Sequence, residues 1–194
     1  MRRRTAALGG IVGPVAFVGA WFAGAAVTDM PYSAIEDPIS RLAAIGADTR
    51  GLMTAGFVVF GVALPIYASS LHRVVPGPAW IAATATGLAT LGVAAAPLGH
   101  SDVIDGLHGF LAGLGYLTLA ATPLLAARPL RSMGHRALGV GAVAAGLVSS
   151  LALAATVLDL PTGLFQRIGL TATDLWIVAS SVVILAGRLH TSPD

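Results

Sequence analysis

Residues 5–27 read TAALGGIVGPVAFVGAWFAGAAV, 23 consecutive residues without one charged side chain. A bilayer core about 30 Å thick needs about 20 apolar residues of helix to cross it. Arg2-Arg3-Arg4 precedes the stretch and Asp29 follows it. A cleaved leader is the competing reading, with Ala23-Gly24-Ala25 as its cleavage site. Leader cores run about 7–15 residues, so the length favours a retained span. Working outward, five further stretches have the same character: Gly51–Leu71, Ala79–Leu98, Gly106–Ala127, Ala137–Leu158 and Gly169–Ala186. The third and sixth of the six are the shortest. The expected fold is all-α, a polytopic transmembrane bundle of six helices forming one integral membrane domain over residues 1–194, with no internal repeat.

Composition agrees. Of 194 residues, 56% are hydrophobic and 10% charged, against about 25% charged in a soluble domain. Mean hydropathy is +0.83. A soluble enzyme, a disordered chain and a nucleic-acid binder are excluded: the net charge is only +2, and no basic run follows Arg4. With no cysteine, disulfides, thiolate metal sites and cysteine nucleophiles are absent.

The loops alternate in charge. Arg2, Arg3, Arg4, Arg73, Arg128, Arg131, Arg136 and Arg188 fall on one side, and Arg41, Arg50 and Arg167 on the other. Asp29, Glu36, Asp37, Asp48, Asp102, Asp105 and Asp159 share the arginine-poor side. Arginine excess marks the cytoplasm. The expectation is a plasma-membrane protein with both termini cytoplasmic and the bilayer as its partner. His72, His135 and His190 lie among the cytoplasmic arginines and carry no site.

Helices in lipid approach through small residues, and Gly9/Gly13, Gly109/Gly113 and Ala137/Gly141/Ala145 supply them. The expected use is packing within the bundle. Pro14, Pro65, Pro97 and Pro123 fall within or near span ends. The longest loop, 28–50, has a helix signal of its own. Asp37 suits the cap, Pro38 the first turn and Gly46 the exit, so the spacing predicts a short helix over 38–45. Asp48 is then a candidate cap for the second span.

Ionisable groups inside spans are costly and are functional candidates by default. Asp174 is the clearest, five residues into the sixth span and about 7–8 Å below its outer end. Arg167, Thr171, Asp174 and Ser181 form one helical stripe. His108 lies just inside the fourth span, with Asp105 one turn before it and His100 and Asp102 in the preceding turn. Asp29 ends the first span at the same level, and Ser40 and Arg41 sit in the loop helix. These elements place polar groups at one depth, which predicts a polar pocket open to the outer leaflet.

Three readings of that pocket stay open. One is an ion-pair network, Asp174 with Arg167 and Asp105 with His108. The second is a ligand or catalytic site for a lipid-like or amphipathic molecule. There Asp174, His108 and Asp105 supply acid–base chemistry, and Asp29, Ser40, Arg41, His100, Arg167 and Trp176 supply binding contacts. The enzymatic option within it is membrane-embedded processing of a lipid or isoprenoid. The third is a proton-coupled transport path through Asp174. A two-histidine, one-carboxylate metal set from His100, His108 and an Asp is not favoured, and no metal or cofactor is expected. Ser40 lacks the G-x-S-x-G elbow of a nucleophile.

The segment Asp37-Pro38-Ile39-Ser40-Arg41-Leu42-Ala43, followed by Gly51-Leu52-Met53-Thr54-Ala55-Gly56-Phe57, resembles the opening signature of the membrane family termed domain of unknown function 998 (DUF998). So do Asp105-Gly106-Leu107-His108-Gly109, and Gly163-Leu164-Phe165-Gln166-Arg167-Ile168 leading into Asp174-Leu175-Trp176. The resemblance implies six spans and the same outward cluster of Ser40, His108, Arg167, Asp174 and Trp176. Arg41 departs from the acid that usually follows the loop serine. The resemblance implies no activity.

Overall fold

A computed structural model describes residues 5–158 and 160–189. Six α-helices follow one another: α1 (Gly9–Val27), α2 (Arg50–Val74), α3 (Ala79–Ala95), α4 (Asp102–Ser132), α5 (Arg136–Val157) and α6 (Thr162–Leu185). A 3₁₀ turn, Ala6–Leu8, leads into α1, and a 3₁₀ helix, Ile39–Ala43, lies in the long loop. Each helix packs on the next, and α6 returns to α1 to close the ring. The six alternate in direction, so both ends of the described chain sit at one end of the bundle. That end carries Arg73, Arg128, Arg131, Arg136 and Arg188 and is called here the arginine-rich end.

Five of the helices are long and apolar enough to cross a membrane. The exterior is apolar too: Phe110 is 69% exposed and Leu151 71%. A surface of that kind is stable only against lipid, and the chain is a multi-pass membrane protein. α3, with 17 residues, is about 25 Å long, whereas the 31 residues of α4 run about 46 Å. Proline and glycine explain where the helices stop. α2 ends ahead of Pro76 and Gly77, and α3 ahead of Pro97. α4 ends at Gly134, whose φ of 86° suits a residue without a side chain. Its start is marked by the Ser101 hydroxyl, which accepts the Ile104 amide, and by Asp102 and Asp105 in the first turn, where acids favour the helix dipole.

Several boundaries differ from those expected. α4 continues through Arg128, Pro129 and Arg131, because a helix need not end where the membrane does. α6 is among the longer helices and not the shortest. It begins at Thr162, so Gln166 and Arg167 lie inside it and are buried. The loop covers this start. The Ile35 and Glu36 carbonyls accept the Leu164 and Gly163 amides at 2.8 and 3.4 Å. These are first-turn donors with no partner inside their own helix. Gly163 is required for that approach, since a Cβ there would meet the Asp37 carbonyl oxygen at 2.4 Å.

The loop helix is 3₁₀ and shorter than predicted. It buries Ile39, Leu42 and Ala43 against α1, α2 and α6, roofing the bundle. Asp37 does not cap it. Its carboxylate accepts the Ser33 amide and pairs with Arg41. Nor does Asp48 cap α2. It accepts the Thr28 hydroxyl and the Asp29 amide, both at 2.8 Å, and so staples the end of α1 to the loop. Gly9 and Gly13 do bring α1 onto α2, with a Cβ at Gly9 reaching the Ala63 carbonyl oxygen at 2.3 Å. Gly109 and Gly113 do not pack, and nothing lies within 4 Å of a Cβ at either.

Candidate functional site

Beneath the loop helix, α1, α2, α3, α4 and α6 leave a cavity of about 50 Å3. One water needs roughly 10–15 Å3 by this measure, so the space suits a few waters or the slim end of a chain. Phe17, Phe57, Phe60, Leu111, Leu119 and Leu170 are among its large apolar lining residues. Ser40 enters from the loop helix, Thr86 and Thr90 from α3, His108 and Tyr116 from α4, and Gln166 from α6.

His108 is the one imidazole on the wall. It lies in the second turn of α4, 4% exposed, with Nδ1 2.7 Å from the Ala96 carbonyl oxygen. A carbonyl only accepts, so Nδ1 carries the hydrogen, and in the neutral ring Nε2 is an acceptor. Nε2 is buried and has no partner. The bond to Ala96 fixes the ring against the end of α3. Asp105, one turn earlier, accepts the Gly99 amide at 2.9 Å and holds the same turn. Asp105 and His108 therefore brace one loop separately and do not form an ion pair.

Gln166 links cavity to roof. Its Oε1 accepts the Ile39 amide at 2.6 Å, and its Nε2 donates to the Tyr116 hydroxyl. Arg167 faces the other way, into the loop. Its guanidinium donates to the carbonyls of Ala34 at 2.8 Å, Asp37 at 3.2 Å and Gly163 at 2.8 Å, and to the Tyr32 hydroxyl. It lies 5.1 Å above the Trp21 ring and 5.7 Å from that of Tyr32, within cation–π range. Burial raises the Tyr32 hydroxyl pKa, and Arg167 opposes the rise. The Ser33 amide, then Arg41, hold Asp37 below the ordinary carboxylate value. Among the described residues Arg41–Asp37 is the ion pair present. Arg167 is thus a clamp for the loop, and its contacts are carbonyls and aromatic rings in place of Asp174.

The remaining expected site residues separate. Asp29, Arg41 and His100 are exposed at the rim opposite the arginine-rich end. Asp174 is 2% exposed, and both its oxygens lack a partner. α6 starts at Thr162, so Asp174 lies about 18 Å along it, midway along the helix. It is one turn below Leu170, the deepest α6 residue on the cavity wall, and is not itself on that wall. Trp176 faces a different groove, between α5 and α6, where its Nε1 donates to the Leu138 carbonyl at 3.2 Å. Among the described residues no three His, Asp or Glu side chains gather to hold a metal.

The profile of the family described as "Protein of unknown function (DUF998)" matches residues 11–183. The chain belongs to the DUF998 family. No curated protein and no solved structure matches it.

Sequence reasoning missed Gln166, Tyr116, Thr86 and Thr90 as cavity residues. The usable signal was an amide and a phenol inside apolar runs. Gln166 precedes Leu170 by one helical turn, a polar group on an inward face.

Proposed function

We propose that this DUF998 protein binds an amphipathic, lipid-like molecule in the cavity beneath the loop helix. The polar end of the guest lies at Ser40, His108 and Gln166, and its apolar part lies among Phe17, Phe57, Phe60 and Leu119. The observation that carries the reading is the buried, unpartnered Nε2 of His108 on a wall that joins a few polar groups to a larger apolar surface. A buried acceptor without a donor costs about 1–3 kcal/mol. A guest hydroxyl or amine relieves that cost, which selects a long-chain alcohol or amine over a plain hydrocarbon. The arginine-rich end is read as cytoplasmic, so the guest arrives from the outer leaflet. A cavity of this size takes a whole chain only when the loop helix lifts, and that helix is the element held by Gln166 and Arg167. Photo-crosslinking with a diazirine-bearing long-chain alcohol tests the reading. Labelling of Leu111–Leu119 supports it; labelling confined to lipid-facing residues such as Phe110 overturns it.

A second reading rests on Asp174. A carboxyl group with two unpartnered oxygens midway along α6, one turn below the cavity, supports a role as relay in proton-coupled transport. Proton flux into liposomes that is lost in Asp174→Asn supports this reading; absence of flux under every imposed gradient removes it.

A further inference from the structure

The groove that receives Trp176 runs from the middle of α6 toward the arginine-rich end, away from the cavity. It is an open trough of about 750 Å3 between α5 and α6, with Leu138, Gly141 and Ala145 on one wall and Ala172, Trp176 and Val183 on the other. On α6 it extends from Ala172 to Val183, eleven residues or about 16 Å. That is half of a hydrocarbon core about 30 Å thick, the depth reached by one acyl chain from one leaflet. The small side chains leave the trough open, and Trp176, 4% exposed and fixed by its bond to the Leu138 carbonyl, closes its floor.

The mouth of the trough is basic. His135, Arg136 and Arg188 line it, and no Asp or Glu among the described residues does. Arg136 and Arg188 are exposed, and among the described residues Arg41–Asp37 is the ion pair present, so neither guanidinium is paired there. α5 also begins here, and its N-cap residue His135 makes no side-chain cap bond. The first-turn amides and the positive end of the helix dipole are thereby left at the mouth, an arrangement that favours anions.

The geometry points to a binding site for one anionic phospholipid, with its phosphate between Arg136, Arg188 and the start of α5 and one acyl chain along Trp176. The charge at the mouth selects the headgroup, and the half-membrane depth selects a lipid over a soluble phosphate. This site is independent of the cavity under the loop helix.

The chain has three tryptophans, Trp21, Trp80 and Trp176. A full-length Trp21→Phe, Trp80→Phe variant leaves Trp176 as the only indole. It is reconstituted in vesicles of phosphatidylglycerol and phosphatidylcholine, with bromine on the acyl chains of one lipid or the other at equal mole fraction. Brominated phosphatidylglycerol is expected to quench Trp176 more strongly than brominated phosphatidylcholine. Arg136→Gln or Arg188→Gln each lowers that preference about fivefold, and the pair brings it near parity. Gly141→Leu fills the trough, since a Cβ there meets only Trp176 at 4.0 Å, and it lowers quenching by both lipids. Equal quenching by the two lipids, or a preference that survives both arginine substitutions, overturns the proposal. Loss of the preference on adding inorganic phosphate at constant ionic strength overturns it in favour of a soluble anion.

Discussion

The side-chain oxygen of Gln166 accepts the backbone N–H of Ile39 at 2.6 Å, so α6 holds the first residue of the loop helix directly. The same side chain donates to the Tyr116 hydroxyl on the cavity wall. Roof and wall therefore share one amide, and a disturbance of either is felt by the other.

Gln166→Leu keeps the volume and removes both bonds. The Ile39 amide is then buried without an acceptor, at a cost of about 1–3 kcal/mol. Thermal unfolding in detergent should show a lower midpoint, and hydrogen exchange at Ile39 should rise. An unchanged midpoint with unchanged exchange contradicts the role given to Gln166.

Arg167→Lys keeps the charge and loses the planar fork that reaches three carbonyls and a phenol. Exchange of amides in residues 34–39 should increase while the inner helices stay protected. Protection equal to wild type means that charge alone docks the loop.

Acid should loosen the same loop. Asp37 has its pKa lowered in the folded protein, first by the Ser33 amide and then by Arg41. A lowered folded value means that the carboxylate adds stability at pH above the ordinary 3.8 and that this contribution is lost as pH falls below it. Trp21 emission, sensitive to Arg167 above its ring, should change in that range. Asp37→Asn should remove the transition. A transition that persists in the variant assigns it to another group.

Asp174→Asn should leave the thermal midpoint nearly unchanged, because neither carboxyl oxygen has a partner to lose and the amide puts another unpartnered polar group of the same size in its place. A fall of several degrees shows that the carboxyl is held by something it needs.

The fold was legible because lipid imposes a simple rule: about 20 apolar residues per crossing, with little room for other patterns. Six helices, the loop helix near residue 39 and the inward Gly9/Gly13 pair all follow from that rule and from local turn chemistry. The start of α6 was not legible. Hydropathy puts the start of the span at Gly169, beyond Gln166 and Arg167, because it registers their polarity and not their partners. Their partners, Ala34, Asp37 and Ile39, are about 130 residues away in sequence. Trp176, expected in the outward cluster, lies instead in the groove between α5 and α6. Within the site, Ser40 and His108 do share a cavity, as turn position and burial suggested. Asp105, also near His108 in sequence, was misread as its ion partner because helical spacing shows which residues share a face, not which atom each one bonds.

The central claim is that the cavity under the loop helix takes a lipid-like guest at His108. The most direct measurement is photo-crosslinking of a diazirine-bearing long-chain alcohol to the reconstituted protein, with labelled peptides mapped in wild type, His108→Ala and Gly115→Leu. A Cβ at Gly115 lies 3.7 Å from the Ala89 methyl, so leucine there fills the cavity without striking backbone. The account predicts labelling of Leu111–Leu119 in wild type, reduced several-fold in His108→Ala and abolished in Gly115→Leu, with thermal midpoints confirming that both variants fold. Identical labelling in all three proteins, or labelling confined to lipid-facing residues, contradicts it.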